Sequence, residues 1–235
     1  MQETVSIIPD LIAQLRDADP TFKVFGSKKH QYRLESPQTE RNLATFESVN
    51  GCMLPTDYRE YLLTVADGGA GPYYGIESLK TACDDRTLSK PFPFTTETNT
   101  FADTELNRHS DCYEDSGTLE LCHHGCCLYA HLVVCGPTYG TMWDVVEDYH
   151  FYPLDISFAS WYCRWANQKI ARLANEPLVT QLKCGMATTD VDGIGGNWKR
   201  RETTSNTFYE SPDIPAQLEI DGNGIVRKIN PWSFI

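Results

Sequence analysis

A proline and a glycine pair bracket the most constrained stretch of this chain, Leu54 to Gly69. Proline suits the first position of a helix, where its missing N–H is not needed and its fixed φ is already helical. Pro55 therefore sets a start. Tyr58, Tyr61, Leu62 and Val65 follow at the i, i+3, i+4, i+7 spacing that lays apolar side chains along one helical face. Gly68-Gly69 stops the run, because glycine enters left-handed backbone without a steric cost.

The flanking pattern predicts further helices and then strands. Val5, Ile8, Leu11, Ile12 and Leu15 recur at helical spacing, with Pro9 tolerable in the first turn. A second helix is expected from Pro37 to Asn50, capped by Ser36, with Leu43, Phe46 and Val49 inward. After the turn Gly71-Pro72-Tyr73-Tyr74-Gly75, residues 80–118 are polar and irregular and read as a long loop. The period then changes. Leu119–Cys122, Leu128–Cys135 and Thr141–Val146 read as short strands, the last two joined through Gly136–Gly140. Asp155 or Ser157 can cap a closing helix whose face is Phe158, Trp161, Tyr162 and Trp165.

This order predicts an α+β fold, a mostly antiparallel central sheet packed by helices. Residues 1–176 are expected to form that domain. After Pro177 the pattern weakens, so 177–235 read as a C-terminal extension. In it, Gly193, Gly195 and Gly196 with Lys199-Arg200-Arg201 look like a loop, and Gln217–Ile220 with Ile225–Ile229 look like a hairpin around Asp221–Gly224. The tail could extend the main sheet or fold over it.

Charge narrows the function classes. The net charge of −12 argues against direct nucleic-acid binding, which needs a basic surface. Between His109 and Cys163 there is no Lys or Arg, while Asp111, Glu114, Asp115, Glu120, Asp144, Glu147, Asp148 and Asp155 all fall there. Such a stretch is either a solvated face that keeps the chain soluble or a surface that steers a basic partner. In the second case these acids, Asp155 apart, are candidates for a charged rim, and Tyr73 and Tyr74 are candidate anchors inside it. Packing of both tyrosines against the sheet is the competing expectation.

No apolar run approaches membrane-spanning length; the longest clean one is Leu132–Cys135. Met1–Leu15 holds Glu3 and Asp10 and no basic residue, unlike a secretory leader. Together with an odd count of nine cysteines, this predicts a cytoplasmic protein with reduced thiols and no membrane partner.

The one cluster that looks like chemistry is Cys122-His123-His124-Gly125-Cys126-Cys127. It offers five zinc-type ligands, but no second knuckle follows, and only His131 and Cys135 on the next strand could complete a site. A Cys–His nucleophile pair drawn from Cys122, Cys126 or Cys127 with His131 lacks an orienting third group. The glycine stretches Asp67–Gly71 and Gly193–Gly196 lack the strand-to-helix setting of a phosphate loop. The residues make no positive case for an enzyme, a metal or a cofactor.

At LPTDYREYLLTVADGGAGPYYGIESL, from Leu54, the chain resembles the signature helix and turn of the SUKH superfamily (the Smi/Knr family). Four further pieces resemble the family in order. They are Leu88–Thr95; Gly117-Thr118-Leu119 with His124-Gly125-Cys126; Leu132–Val134 with Gly136-Pro137, Gly140 and Trp143-Asp144; and Phe158 with Trp161-Tyr162 and Trp165. The resemblance covers about residues 38–173. It implies a fold signature rather than an active site, with the His-Gly-Cys turn as part of that signature. It also implies a non-catalytic role. Bacterial members are immunity proteins that neutralise toxins, often nucleases, passed between competing cells; eukaryotic relatives are regulatory adaptors with long extensions. The expectation is an immunity protein whose partner is a basic cognate toxin. The alternatives are a regulatory adaptor binding host proteins or a zinc- or cysteine-dependent protein centred on residues 122–135.

Overall fold

The structure is a computed structural model that describes residues 4–84, 86–95, 116–146, 150–179, 181–195, 197–202, 207–211 and 216–231. Two compact units share the chain: Met1–Ala13 with Gly26–Trp165, and Gln14–Phe25 with Ala166–Ile235. The division at Trp165 falls earlier than residue 176, and it assigns a short N-terminal segment to the second unit. The architecture is α+β, with one four-stranded antiparallel sheet in each unit.

The first helix, α1 (Ile8–Ala18), follows a 3-10 turn at Val5–Ile7. After the short α2 (Ser27–His30), α3 runs over Glu40–Asn50. It starts later than Pro37, because Thr39 rather than Ser36 caps it, its hydroxyl accepting from Asn42 N at 3.2 Å. Leu43 is fully buried, whereas Val49, expected inward, is 78% exposed. Helical spacing places Val49 near the apolar face, but the helix ends at the left-handed Gly51 before a partner covers it.

α4 (Thr56–Thr64) has Pro55 as its N-cap and buries Tyr58, Tyr61 and Leu62 completely. The helix ends at Thr64 with Val65 as its C-cap, short of the glycine pair expected to stop it, and the pair serves the turn that follows. Gly69 sits at φ 95°, bridges both Leu34 and Ile76, and would bring a Cβ to 2.5 Å from the Arg33 carbonyl oxygen. Two backbone segments thus clasp the end of α4 where no side chain fits. α5 (Leu79–Ala82) interrupts the stretch read as loop, and residues 96–115 of that stretch lie outside the described residues.

β1 (Thr118–Gly125), β2 (Leu128–Val133), β3 (Met142–Val146) and β4 (His150–Pro153) form a meander in chain order. On one face Val133, Trp143, Val145 and Phe151 pack with Phe92 and Phe94. Phe92 meets Trp143 and Phe151 edge-on, at 5.1 and 5.3 Å between ring centroids. The register puts Leu119, Cys122, Ala130, Leu132, Met142 and Asp144 on the other face.

α6 (Phe158–Val179) carries the expected aromatic face: Phe158 meets both Tyr58 and Tyr61 at 4.9 Å, and the Tyr162 hydroxyl donates to Ala70 O at 2.5 Å. Its start is held from afar. Asp57 Oδ2 on α4 accepts from Ala159 N at 2.8 Å, a shorter bond than Ser157 Oγ makes with Ser160 N at 3.4 Å. Asp57→Ala is expected to lower stability by about 1–2 kcal/mol through loss of that cap, and Asp57→Asn by much less. Urea midpoints of the two variants check this; equal midpoints would show that the bond contributes nothing.

In the second unit, Asp19 is buried because its carboxylate closes a turn, accepting from Lys23 N at 2.7 Å and Val24 N at 3.0 Å. Its sheet is a separate meander of β5 (Lys199–Glu202), β6 (Thr207–Glu210), β7 (Ala216–Ile220) and β8 (Val226–Pro231). The tail therefore builds its own sheet. Lys199-Arg200-Arg201 is the edge strand β5 rather than a loop, and every residue of it is exposed. The hairpin between β7 and β8 is tied by Asp221 Oδ1, which accepts from Asn223 N and Ile225 N, both at 2.9 Å. With α7 (Thr188–Ile194) the unit has its own core: Leu182, Val191, Ala216, Leu218, Ile220 and Val226.

Candidate partner-binding surface

The turn after α4 presents two adjacent tyrosines to the hairpin of β1 and β2. Gly75 N closes it on Pro72 O at 2.9 Å, and Tyr73 adopts left-handed backbone at φ 49°. Gly26, at φ 80°, lies directly against it: a Cβ there would stand 1.8 Å from the Tyr73 carbonyl oxygen. The turn is thus seated on bare backbone.

Across from it, Tyr73 stacks on His124 at 3.8 Å and Tyr74 on His123 at 5.6 Å. His123 also tilts against Tyr129 at 4.8 Å. Lys29 sits 5.9 Å from the Tyr74 ring centre and 3.3 Å from Glu77 Oε1. Tyr73, Tyr74, His123 and Tyr129 are half-buried, so each ring has one side packed and another in reach of solvent. A half-exposed aromatic row of this kind is the composition that anchors protein interfaces.

Burial sets the protonation of the imidazoles beneath it. His124 has no hydrogen-bond partner for Nε2 among the described residues, and burial with His123 beside it lowers its pKa to about 4. Burial takes His30 to about 4 as well, outweighing its bond to the Tyr73 backbone, and Lys29 pushes the same way. Both rings are neutral at pH 7.

The nucleophile and metal readings gain no geometry. Cys122 is buried, its thiol donates to Pro72 O at 3.0 Å, and burial pushes its pKa well up. His131 points to the opposite face of the sheet, with Nδ1 3.2 Å from Thr118 Oγ1 and Nε2 3.9 Å from Glu120. Thr118, His131 and Glu120 stand in a row like a hydroxyl–imidazole–carboxylate relay, but Thr118 is fully buried and reaches no solvent. Among the described residues, no group of three or more His, Cys, Asp or Glu could hold a metal ion.

No family model, no curated protein and no solved structure matches this chain. Its own groups must carry the functional argument.

Of the acids expected at a rim, Glu120 is engaged inside the unit: its Oε2 receives Arg86 Nη2 at 2.6 Å. Asp144 is half-buried on the helix-facing side of β3, where burial lifts its carboxyl to about 6. Neither is a freely solvated rim charge. Asp111, Glu114, Asp115, Glu147 and Asp148 lie outside the described residues. Tyr73 and Tyr74 are brought together with both histidines of the Cys122–Cys127 cluster. His123, Tyr129 and Lys29 adjoin the same surface and were not among the expected candidates. The adjacent His123-His124 pair was the available signal, but it reads first as metal chemistry. No helix among the described residues is long and apolar enough to cross a membrane.

Proposed function

We propose that this chain is a non-catalytic immunity protein that binds and neutralises a basic cognate toxin, acting through its first unit. One observation carries the reading. The segments of the first unit hold ten Lys and Arg against 22 Asp and Glu, while those of the second hold ten of each. The whole net charge of −12 therefore belongs to one unit. A solubility effect would need no such segregation; a field that steers a cationic partner does, and can raise association rates by about one to three orders of magnitude.

Further support comes from the aromatic row beside Tyr73, which supplies anchors within that unit, and from the order of elements. A capped helix ending in a glycine clasp, an antiparallel meander and an aromatic-faced closing helix follow one another as in the SUKH superfamily that the sequence resembles. A toxin with a basic nucleic-acid groove fits the sign of the field.

The test is capture of the tagged chain from its own cells, followed by native mass spectrometry at low and high salt. One basic protein at fixed stoichiometry, with affinity falling as salt rises from 50 to 300 mM on the scale of a Debye length near 10 Å, is the expected result. Several proteins bound weakly without fixed stoichiometry would replace the toxin with the adaptor reading. A bare chain with one zinc ion would overturn both.

A further inference from the structure

The tip of the β1–β2 hairpin is Gly125-Cys126-Cys127-Leu128, and both cysteines adopt left-handed backbone, at φ 47° and 60°. Two central residues of positive φ make the two-residue turn that joins twisted strands, a place filled by Asn-Gly or Gly-Gly for conformational reasons. Cysteine has no such reason, since its Cβ opposes left-handed backbone. What this placement does accomplish is to hold two consecutive cysteines at an exposed hairpin tip. Neither is in a disulfide, and both are exposed.

The other described cysteines differ. Cys122 and Cys163 are buried, Cys52, Cys83 and Cys135 are half-buried, and Cys184 is exposed but has no neighbouring thiol in sequence. Burial and Glu47 push the Cys52 thiol up to about 11, and burial raises Cys83 too. Among the described cysteines, two consecutive exposed ones stand only at the hairpin tip.

Geometry decides what the pair can hold. Consecutive Cα atoms are about 3.8 Å apart across a trans peptide, whereas disulfides join Cα atoms roughly 4.4–6.8 Å apart. A direct S–S bond across this turn is therefore disfavoured. A single soft atom bridging the two sulfurs relaxes that requirement, because the sulfurs then stand further apart than a bond length. Zinc would want two more ligands, and none stands ready among the described residues. A trivalent arsenic atom already carrying one carbon substituent wants two sulfurs and nothing else.

We propose that Cys126 and Cys127 form a two-thiol capture site for monosubstituted trivalent arsenicals, a class of soft thiophilic electrophile. With an arsine oxide R–As=O, two As–S bonds form and the As=O bond breaks. The two thiol protons leave with the oxygen as water, and arsenic stays trivalent, so no oxidant or reductant is needed. The site is independent of the toxin-binding reading.

Treatment of the full chain with one equivalent of phenylarsine oxide, followed by excess β-mercaptoethanol and intact-mass measurement, tests it. One phenylarsenic adduct should survive the monothiol and be released by 1,2-ethanedithiol. Cys126→Ser and Cys127→Ser should each lose at least tenfold of the retained adduct, and Cys184→Ser should lose none. Cys126→Asn, which suits left-handed backbone better than cysteine, should lose it equally while keeping the turn intact. Retention of the adduct in the Cys126 and Cys127 variants, or none in the unaltered chain, would overturn the assignment.

Discussion

Gly26→Ala is expected to destabilise the first unit by at least about 3 kcal/mol, more than any conservative substitution on its surface. Two costs add. The residue stands at φ 80°, where a Cβ opposes the backbone by roughly 1–2 kcal/mol. The new methyl would also lie 1.8 Å from the Tyr73 carbonyl oxygen and 2.2 Å from its carbon, which are backbone atoms with no rotamer to escape into. The Tyr73–Tyr74 turn must lift, and its stacks on His124 and His123 go with it. For a chain of this size such a loss lowers Tm by roughly 6–12 °C. Gly222→Ala is the control, since a Cβ there meets nothing within 4 Å. The two melting curves, with the near-ultraviolet tyrosine signal as a local reporter, decide the matter; coincident curves would mean that the turn is not seated on Gly26.

How much of this was legible in the sequence depended on the range of the interactions that form each element. α4 and the aromatic face of α6 are local patterns, and Pro55, Tyr58, Tyr61, Leu62, Phe158 and Tyr162 announce them. The cap of α6 is not local. Asp57 reaches Ala159 across 102 positions, so the nearest cappers, Asp155 or Ser157, stand out instead; Asp155 adopts φ 52°, and Ser157 accepts only the longer bond from Ser160 N at 3.4 Å. β5 is hidden for a different reason. Lys199–Glu202 has no buried face, so period-two alternation is absent and only its pairing with β6 makes it a strand. β4 follows two acids and contains a proline, which obscured a strand that pairs on β3 through Phe151. The candidate surface was half legible. Tyr73 and Tyr74 stand out as adjacent aromatics, but their stacking on His123 and His124 joins segments about fifty residues apart. The engagement of Glu120 by Arg86, like the burial of Asp144, depends on strand register, and a one-residue slip would reverse both.

Acid is expected to unfold the first unit well above the pH at which its carboxylates alone would fail. His30 and His124 are held neutral at a folded pKa of about 4, whereas an unfolded histidine titrates near 6.5. The unfolded state therefore binds more protons throughout that window. Their contribution to stability is intact above pH 6.5 and is lost as pH falls toward 4, by about 2 kcal/mol for each ring between pH 7 and 5. Burial with Arg86 and His124 nearby depresses His131 further, so it acts in the same direction. Asp144 opposes them. Its folded pKa of about 6 exceeds the ordinary 3.8, so the folded state gains a proton as pH falls through 6, returning roughly 1 kcal/mol by pH 5. Three buried imidazoles outweigh one raised carboxyl, and the net loss stands at several kcal/mol, a large share of the roughly 5–15 kcal/mol that a domain has. Urea midpoints at pH 7 and pH 5 measure it. His124→Gln, which takes up no proton, should shrink the difference between the two pH values by about 2 kcal/mol even if it lowers both midpoints. An undiminished difference in both His124→Gln and His30→Gln would show that these rings do not hold the acid sensitivity. A normal response from them instead ties the seat of the Tyr73–Tyr74 turn to the neutrality of the imidazoles beneath it, and predicts that partner binding through that turn weakens below about pH 6 in parallel with stability.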